Sequence, residues 1–426
     1  GPGLRSSPKG MHELRQAVDE LASDDSKIRN DGATDGAVLR PGLTRRKLIA
    51  GVGAAAAIAA TGFLLLRAKE PSNPPEVEAL FLKARQAWTQ GSSDGNAQAI
   101  GLYRRATAIA PDNADAWGFL GVAYADRAHT WVNASERTAL WERAREAGER
   151  SLQLDRQNAY GRAAIAYAQP LRGNWLSMER EFRRGVSDQP GKWLVSFSLG
   201  WLLTLVGRLS EASGLFETIR DEAPPPNQYR WHIQALWGSG KTEEADRILE
   251  EADSIYRTHE AIWQTRFDML LAGGQPGAAL ALTQDLANKP ASITPDELAL
   301  RTAVAQALVS DAPFYRQAAR KVSIQQSREA ARLARMAIQY LGMMGFADDA
   351  FEIADAFYFS RGFSIPDRAS ATIRSEVTLD ARDTRFLFLP TMRTLRADAR
   401  FEGLVNEIGL TRYWQKARAT PDYRRA

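Results

Sequence analysis

The side chains that most often do chemistry in proteins are scarce in this sequence. Cysteine is absent from the 426 residues and histidine occurs four times, at positions 12, 129, 232 and 259. A cysteine nucleophile, a disulfide framework and a cysteine-ligated metal site are therefore excluded, and a three-histidine metal site would need nearly every histidine. Acidic pairs such as Glu243-Glu244 stand beside basic residues at helical spacing, which is typical of a solvated helix face. We expect no catalytic residues, no metal and no enzymatic activity.

Residues 235–242 satisfy a loose phosphate-loop pattern, Ala-Leu-Trp-Gly-Ser-Gly-Lys-Thr. A phosphate loop needs a strand before it and a helix after it, so that backbone N–H groups surround the phosphate. Here the preceding residues have a helical pattern, and glycine is typical of the position where a helix ends. The sequence therefore predicts a turn between two helices at residues 238–242, with no nucleotide and no cofactor.

One apolar segment follows an N-terminal region that is poor in large apolar side chains. Residues 48–66 carry no charge, and as a helix they would span about 28 Å, close to the hydrocarbon thickness of a bilayer. Three basic residues precede the segment, at 45–47, against two soon after it, Arg67 and Lys69. This excess places the N-terminus in the cytoplasm. Residues 44–70 are predicted to be a single-pass anchor in the inner (cytoplasmic) membrane, with the following domain periplasmic.

Two further expectations concern the N-terminal part of the chain. Residues 1–43 are predicted to hold one short amphipathic helix, starting near Met11, and a flexible cytoplasmic linker. Residues 44–49 also resemble a twin-arginine export signal, which leaves cleavage as an alternative. Because the apolar run 63–66 follows the only suitable small residues, an uncleaved anchor is preferred.

A pattern with a period of about 34 residues begins after the anchor. It consists of a small residue, an aromatic residue four positions later, a small or aliphatic residue three later and a proline five later. The pattern occurs twice at identical offsets: Ala99-Tyr103-Ala106-Pro111 and Ala212-Phe216-Ile219-Pro224. Small residues let two helices approach closely, the aromatic ring fills the remaining gap, and proline ends the second helix.

These positions, together with Trp117-x-x-Leu120-Gly121-x-x-Tyr124, resemble the tetratricopeptide repeat (TPR) family. The resemblance implies an all-α fold, an α-solenoid of TPR-like antiparallel helix pairs, over residues 76–360. Between Tyr124 and Ala144 the repeat is about eleven residues too long, and such an insertion usually forms a loop or extends a helix.

Residues 361–426 differ from the repeats. Their Pro390, Leu395-Arg396, Arg400-Phe401 and Tyr413-Trp414 resemble the C-terminal end of the TPR region of bacterial single-pass transmembrane regulators. In such regulators a cytoplasmic winged-helix, cyclase or other signalling domain precedes the span. The segment is predicted to be a C-terminal helical cap that faces the last repeat through its apolar residues, since terminal repeats need a cap.

Arginine and tryptophan are the residues best suited to recognition. Arginine can pair with a peptide carboxylate, and Arg127, Arg162 and Arg230 fall on first helices of predicted pairs. Trp131 lies in the insertion, either as a plug over a neighbouring helix or as a binding residue. These four residues are the predicted partner-binding set. Five other tryptophans are expected to be mostly core, with an aromatic groove for a peptide or small hydrophobic ligand as the alternative: Trp193, Trp201, Trp231, Trp237 and Trp263.

Two classes of function remain. The first is a membrane-anchored interaction module, in which the concave groove of the repeats binds a protein or peptide partner outside the cytoplasm, as a scaffold or as the sensory half of a larger signalling protein. The second is a helical-toroid hydrolase, which would need two acidic residues in aromatic-lined loops, a pair that the sequence does not show. The formal net charge of +4 does not by itself indicate a nucleic-acid-binding surface, so no nucleic-acid partner is expected.

Overall fold

A computed structural model describes residues 74–132, 134–219, 225–310, 312–366 and 382–425. The predicted N-terminal helix, the linker and the apolar segment 48–66 lie outside these ranges. None of the helices within the described ranges combines the length and the apolar character needed to cross a bilayer.

The described ranges contain helices and turns and no β-strand, so the fold is all-α, as predicted. Sixteen helices form eight consecutive pairs, pair 1 being α1 with α2 and pair 8 being α15 with α16. Their bounds are α1 Pro75–Thr89, α2 Ser93–Ile109, α3 Ala114–Thr130, α4 Ala134–Leu154, α5 Ala159–Tyr167, α6 Trp175–Asp188, α7 Trp193–Leu205, α8 Leu209–Thr218, α9 Pro226–Gly238, α10 Thr242–Tyr256, α11 Glu260–Ala272, α12 Pro276–Gln284, α13 Pro295–Val309, α14 Pro313–Gln326, α15 Ala331–Met343 and α16 Ala347–Phe359.

In four pairs, the same type of glycine turn connects the first helix to the second. Gly207, Gly240, Gly274 and Gly345 have φ angles of 74°, 86°, 74° and 82°, the left-handed region that glycine adopts without steric cost. In each case the residue after the glycine donates its N–H to a carbonyl five positions earlier, at 2.8 or 2.9 Å, which completes a Schellman motif. The phosphate-loop-like segment at Gly240 is therefore a turn between two helices.

Close approach of the helices explains the small residues of the repeat pattern. Ala99, Tyr103 and Ala106 are buried on α2. A Cβ atom added to Gly200 on α7 would lie 2.7 Å from the ring of Phe216 on α8. The small and aromatic positions thus face each other across the helix pair, as the pattern predicts.

The insertion in the second repeat extends both helices of pair 2. α3 has 17 residues and α4 has 21, and the turn between them contains Trp131. Of the two forms that the sequence allowed, a loop or a longer helix, the structure has the longer helix.

The C-terminal segment, residues 382–425, has little regular structure but a large buried surface. It contains 3-10 turns at Arg385–Phe388, Pro390–Met392 and Asp422–Arg424, and the short helices α17 Arg393–Arg396, α18 Arg400–Ile408 and α19 Leu410–Ala417. Its four largest apolar side chains are each at most 3% exposed: Phe386, Phe388, Phe401 and Trp414.

The C-terminal segment contacts more of the solenoid than the predicted cap on the last repeat would. Arg400 forms a salt bridge of 2.7 Å with Asp348 in pair 8. The hydroxyl of Tyr413 donates to Glu179 in pair 3 at 2.8 Å, and the N–H of Asp422 donates to the carbonyl of Gly207 in pair 4 at 2.9 Å. Through these contacts the segment joins the last pair to the middle of the array.

Charged side chains link the first helices of pairs 6 to 8. Arg301 on α13 is 2% exposed and donates to Asp268 on α11 at 3.1 Å and to the hydroxyl of Tyr340 on α15 at 2.6 Å. Glu297, fully buried, accepts from Gln264 at 2.8 Å and forms a salt bridge with Arg332. The first helices of these three pairs are therefore joined by side chains of the protein itself.

Candidate functional site

A row of aromatic rings lies on the first helices of pairs 4 and 5. Trp193, Phe197 and Trp201 are spaced i, i+4, i+8 along α7, so that they share one helix face, and Trp231 lies beside them on α9. All four rings are partly buried against the core, and we call them the aromatic stripe.

The rings of the aromatic stripe contact one another. The centroids of Trp193 and Phe197 are 6.4 Å apart. Phe197 and Trp231 stack at 5.3 Å with an interplanar angle of 8°, and Trp231 and Trp201 stack at 6.0 Å. These separations are within the range of favourable aromatic pairs, so that the four rings form one continuous surface.

The composition of α7 explains why this face is aromatic. Its sequence, Trp-Leu-Val-Ser-Phe-Ser-Leu-Gly-Trp-Leu-Leu-Thr-Leu, has no charged residue, and a helix that is apolar all round is normally buried. Leu199, Leu202 and Leu203 face the core and are at most 2% exposed. The opposite face bears the aromatic stripe, which the array leaves partly uncovered.

Three guanidinium groups lie over the rings of the aromatic stripe. Arg85 on α1 is 4.9 Å from the centroid of Trp193, so that side chains of pairs 1 and 4 are in contact. Arg230 and Arg385 lie 5.8 and 4.9 Å from the Trp231 ring. Cations at these distances are attracted by the ring quadrupole. Arg385 belongs to the C-terminal segment, which therefore contributes to this surface.

The aromatic surface continues from the stripe into pairs 2 and 3. The Tyr167 ring of α5 is 5.6 Å from Trp201 and 6.4 Å from His129 on α3. The Nε2 atom of His129 donates to the carbonyl of Tyr167 at 2.7 Å. Burial lowers the pKa of His129 to about 4, so the imidazole is neutral at pH 7.

The structure does not bring the four predicted binding residues together. Arg127 donates to the carbonyl of Ser93 at 3.3 Å. Arg162 forms salt bridges with Asp188 at 2.7 Å and Glu181 at 3.4 Å, both on the second helix of its own pair. Trp131 is 7% exposed, which favours the plug interpretation. Arg230 alone of the four lies at the aromatic stripe.

Of the five tryptophans expected to be core or to line an aromatic groove, some are core and the others form the stripe. Trp237 and Trp263 are 5% and 2% exposed and belong to the core, whereas Trp193, Trp201 and Trp231 form the stripe. Phe197, Arg85 and Arg385 were not among the predicted binding residues. The spacing Trp-x-x-x-Phe-x-x-x-Trp is the sequence signal for Phe197, because three aromatic residues at i, i+4, i+8 share a helix face.

A small polar cleft of about 150 Å³ lies away from the stripe, between α8 and the end of the chain. Its charged lining is largely paired internally, since Arg208 forms a salt bridge with Glu211 and Arg425 one of 3.6 Å with Asp422. In the part of the chain that the structure describes, no cluster of histidine and carboxylate side chains has the arrangement of a metal site.

No protein-family model and no curated protein matches the chain. Among solved structures, the chain is similar to a tetratricopeptide repeat protein from Parabacteroides merdae, with 13% identity over 65% of this chain and 100% of that one, at a TM-score of 0.37. It is also similar to yeast Tom70, with 12% identity over 95% and 79% of the two chains and a TM-score of 0.38. A third is YrrB, a TPR protein with an unusual peptide-binding site, with 15% identity over 48% and 96% and a TM-score of 0.28. The description of the chain as a TPR-like solenoid rests on its own helix pairs and on the glycine turns that connect their helices.

Proposed function

We propose that this protein is a helical-repeat interaction module that binds a segment of a partner protein along the aromatic stripe. The observation that carries the proposal is the row of partly exposed rings on the first helices of pairs 4 and 5. Contiguous apolar surface of this kind marks interaction sites, and tryptophan is enriched among the residues that dominate binding energy. First helices of a solenoid also line the extended surface that repeat proteins use for binding.

The shape of the surface favours an extended segment over a small ligand. Small-molecule sites are concave pockets that enclose most of the ligand. The aromatic surface instead runs across the first helices of successive pairs, from Tyr167 on α5 through the stripe residues of α7 to Trp231 on α9. A chain laid along this row contacts the rings in turn.

Binding to the stripe is tested by panning a displayed random-peptide library on the full chain. We expect enriched peptides whose binding is lost in the double variant Phe197→Ala/Trp231→Ala. Phe314→Ala is the matched control, since Phe314 is 75% exposed on α14 and outside the stripe. Circular dichroism establishes that both variants fold. Enriched peptides that bind the double variant as tightly as the wild type would place recognition elsewhere, and a library that yields no binder would refute the proposal.

We further propose that residues 44–70 anchor the module in the inner membrane, with the N-terminus cytoplasmic and the repeats periplasmic. The uncharged run 48–66 and its basic flank support this topology. With a signalling domain on the cytoplasmic side, the same module would be the sensory half of a regulator. Release of the chain from membranes by carbonate, or activity of a cytoplasm-specific reporter fused after residue 426, would refute the anchor or its orientation respectively.

A further inference from the structure

We infer that the aromatic stripe binds a short apolar run of a partner protein, about four to six residues long. The inference rests on the proposed function and gives the partner's segment its length and its chemistry. It follows from the way in which the chain's own C-terminal segment packs on the helices that bear the stripe.

The C-terminal segment holds an apolar run of its own against α7 and α9. Residues 386–389, Phe-Leu-Phe-Leu, are each at most 3% exposed. A Cβ atom added to Gly207, just after α7, would lie 2.9 Å from the ring of Phe388. Leu389 belongs to a buried cluster with side chains of α9, among them Ile233. The two helices that bear the stripe therefore already receive a short apolar run within the molecule.

Hydrogen bonds between uncharged groups hold this internal run on both sides. The hydroxyl of Thr384 donates to the carbonyl of Leu205 at the end of α7, at 2.5 Å. The hydroxyl of Thr391 donates to the side-chain carbonyl of Gln339 on α15, at 2.7 Å. Both bonds are buried. The run is thus recognised by apolar burial and by neutral polar groups.

The C-terminal segment also limits how far a partner can follow the first helices. The guanidinium of Arg385 lies 4.9 Å from the centroid of Trp231, at the α9 side of the stripe. Leu389 shares its buried cluster with Ile262 of α11, and a Cβ atom added to Gly342 on α15 would lie 2.6 Å from Leu395. A partner that continued beyond the stripe onto pairs 6 and 8 would have to displace these residues.

The dimensions of the stripe set the length of the run. Trp193 and Trp201 are eight positions apart on α7, which is about 12 Å of helix. Across the helices, the centroids of Tyr167 and Trp201 are 5.6 Å apart and those of Trp201 and Trp231 are 6.0 Å apart. About four residues of an extended chain, or about six in a 3-10 turn, span such a length. The internal run itself forms a 3-10 turn, Arg385–Phe388.

The surroundings of the rings favour an apolar run over a charged one. α7 has no charged residue, and a charge brought against apolar surface loses its hydration without gaining a partner. The guanidinium of Arg385 is already ion-paired with Asp383 at 2.5 Å. Aliphatic and aromatic side chains, in contrast, gain free energy wherever they cover the rings.

Four probe peptides of about 16 residues in a serine and glycine background test the inference on the full chain in neutral detergent. They carry Phe-Leu-Phe-Leu, the same four residues separated from one another by three serines, Phe-Glu-Phe-Glu, or a doubled Phe-Leu-Phe-Leu run. We expect the single run to bind about tenfold more tightly than the separated or the glutamate peptide, because only a contiguous run covers neighbouring rings at once. The doubled run should gain less than about fivefold, from its additional registers alone, because the C-terminal segment covers the surface beyond the stripe.

Two variants serve as references in the same detergent. The double variant Phe197→Ala/Trp231→Ala measures partition of the peptides into micelles, and it should abolish the advantage of the single run. Leu286→Ser is the matched control, since Leu286 is an apolar side chain that is 65% exposed outside the stripe. It should leave all four affinities unchanged.

Three results would overturn the inference: separated apolar residues that bind as tightly as the single run, tighter binding of the glutamate peptide, or a larger gain for the doubled run. If such binding is lost in the double variant, the stripe still binds peptides and the proposed function stands. If no probe peptide binds while the library yields binders that need the stripe, the inference alone fails. If the library also yields no binder, the proposed function fails with it.

Discussion

The indole nitrogen of Trp414 donates a hydrogen bond of 2.8 Å to the backbone carbonyl of Val206, across 208 residues of sequence. Both residues are almost completely buried. The bond fastens the C-terminal segment to the end of α7, the helix that bears the aromatic stripe.

We expect Trp414→Phe to destabilise the protein by about 1–3 kcal/mol, because the buried carbonyl of Val206 loses its donor. Trp414→Ala should cost about 3–5 kcal/mol, since it also leaves a cavity. Chemical denaturation gives both free energies of unfolding. Trp117→Phe is the control, because Trp117 donates at 2.9 Å to Pro111 at an exposed position, and it should cost less than about 1 kcal/mol. Equal losses in the two phenylalanine variants would contradict this account.

Gly200→Ala tests the close packing of α7 on α8. The new Cβ would lie 2.7 Å from the Phe216 ring, so overpacking should destabilise the protein by about 1–3 kcal/mol. Gly214→Ala, on the exposed side of α8, meets no atom within 4 Å and should be neutral or stabilising by up to about 1 kcal/mol, because alanine favours the helix. Thermal or denaturant unfolding of both variants distinguishes packing from helix propensity, and a neutral Gly200→Ala would mean that the packing is looser than described.

Arg301→Met tests the buried charges that join pairs 6 to 8. The substitution leaves the carboxylates of Asp268 and Glu297 without this cation, and breaking a buried ion pair costs about 3–5 kcal/mol. The exposed salt bridge of 2.6 Å between Arg105 and Glu76 provides the comparison, since Arg105→Met should cost about 0–1 kcal/mol. If denaturation shows similar losses for both arginines, the cluster is more hydrated than its burial indicates.

His129 makes stability dependent on pH. Burial lowers its pKa from 6.5 to about 4, so between these values the unfolded chain binds a proton that the folded protein does not. Stability should therefore fall as the pH is lowered from about 6.5 to about 4. His129→Gln should flatten this part of the curve of unfolding free energy against pH. His259→Gln should act in the same direction but less strongly, because His259 is more exposed and its pKa is lowered by a smaller amount. An unchanged slope in His129→Gln would contradict the assignment.

Contacts between neighbouring helices can be predicted from the sequence, whereas contacts between distant parts of the chain cannot. The small and aromatic residues of the repeat, such as Ala99 and Tyr103, predict helix pairs because the packing partner is the next helix in the chain. The surroundings of the stripe depend on residues more than 100 positions away, such as Arg85 over Trp193, and no helical period encodes that contact. For the same reason the apolar residues of the C-terminal segment predict burial but not the surface against which they are buried.

The attachment of the C-terminal segment also decides how the molecule would carry a mechanical load. In an open solenoid, a pull on the last residue peels the final repeat first. Here Trp414 and Asp422 are hydrogen-bonded to Val206 and Gly207 at the end of α7, the first helix of pair 4, so tension applied to the C-terminus is transmitted to the middle of the array. Pairs 5 to 8 form a closed loop behind this attachment and bear no force until it shears. Because α7 lies directly before that point, a load on the C-terminal segment reaches the helix that bears most of the aromatic stripe without passing through the last repeat.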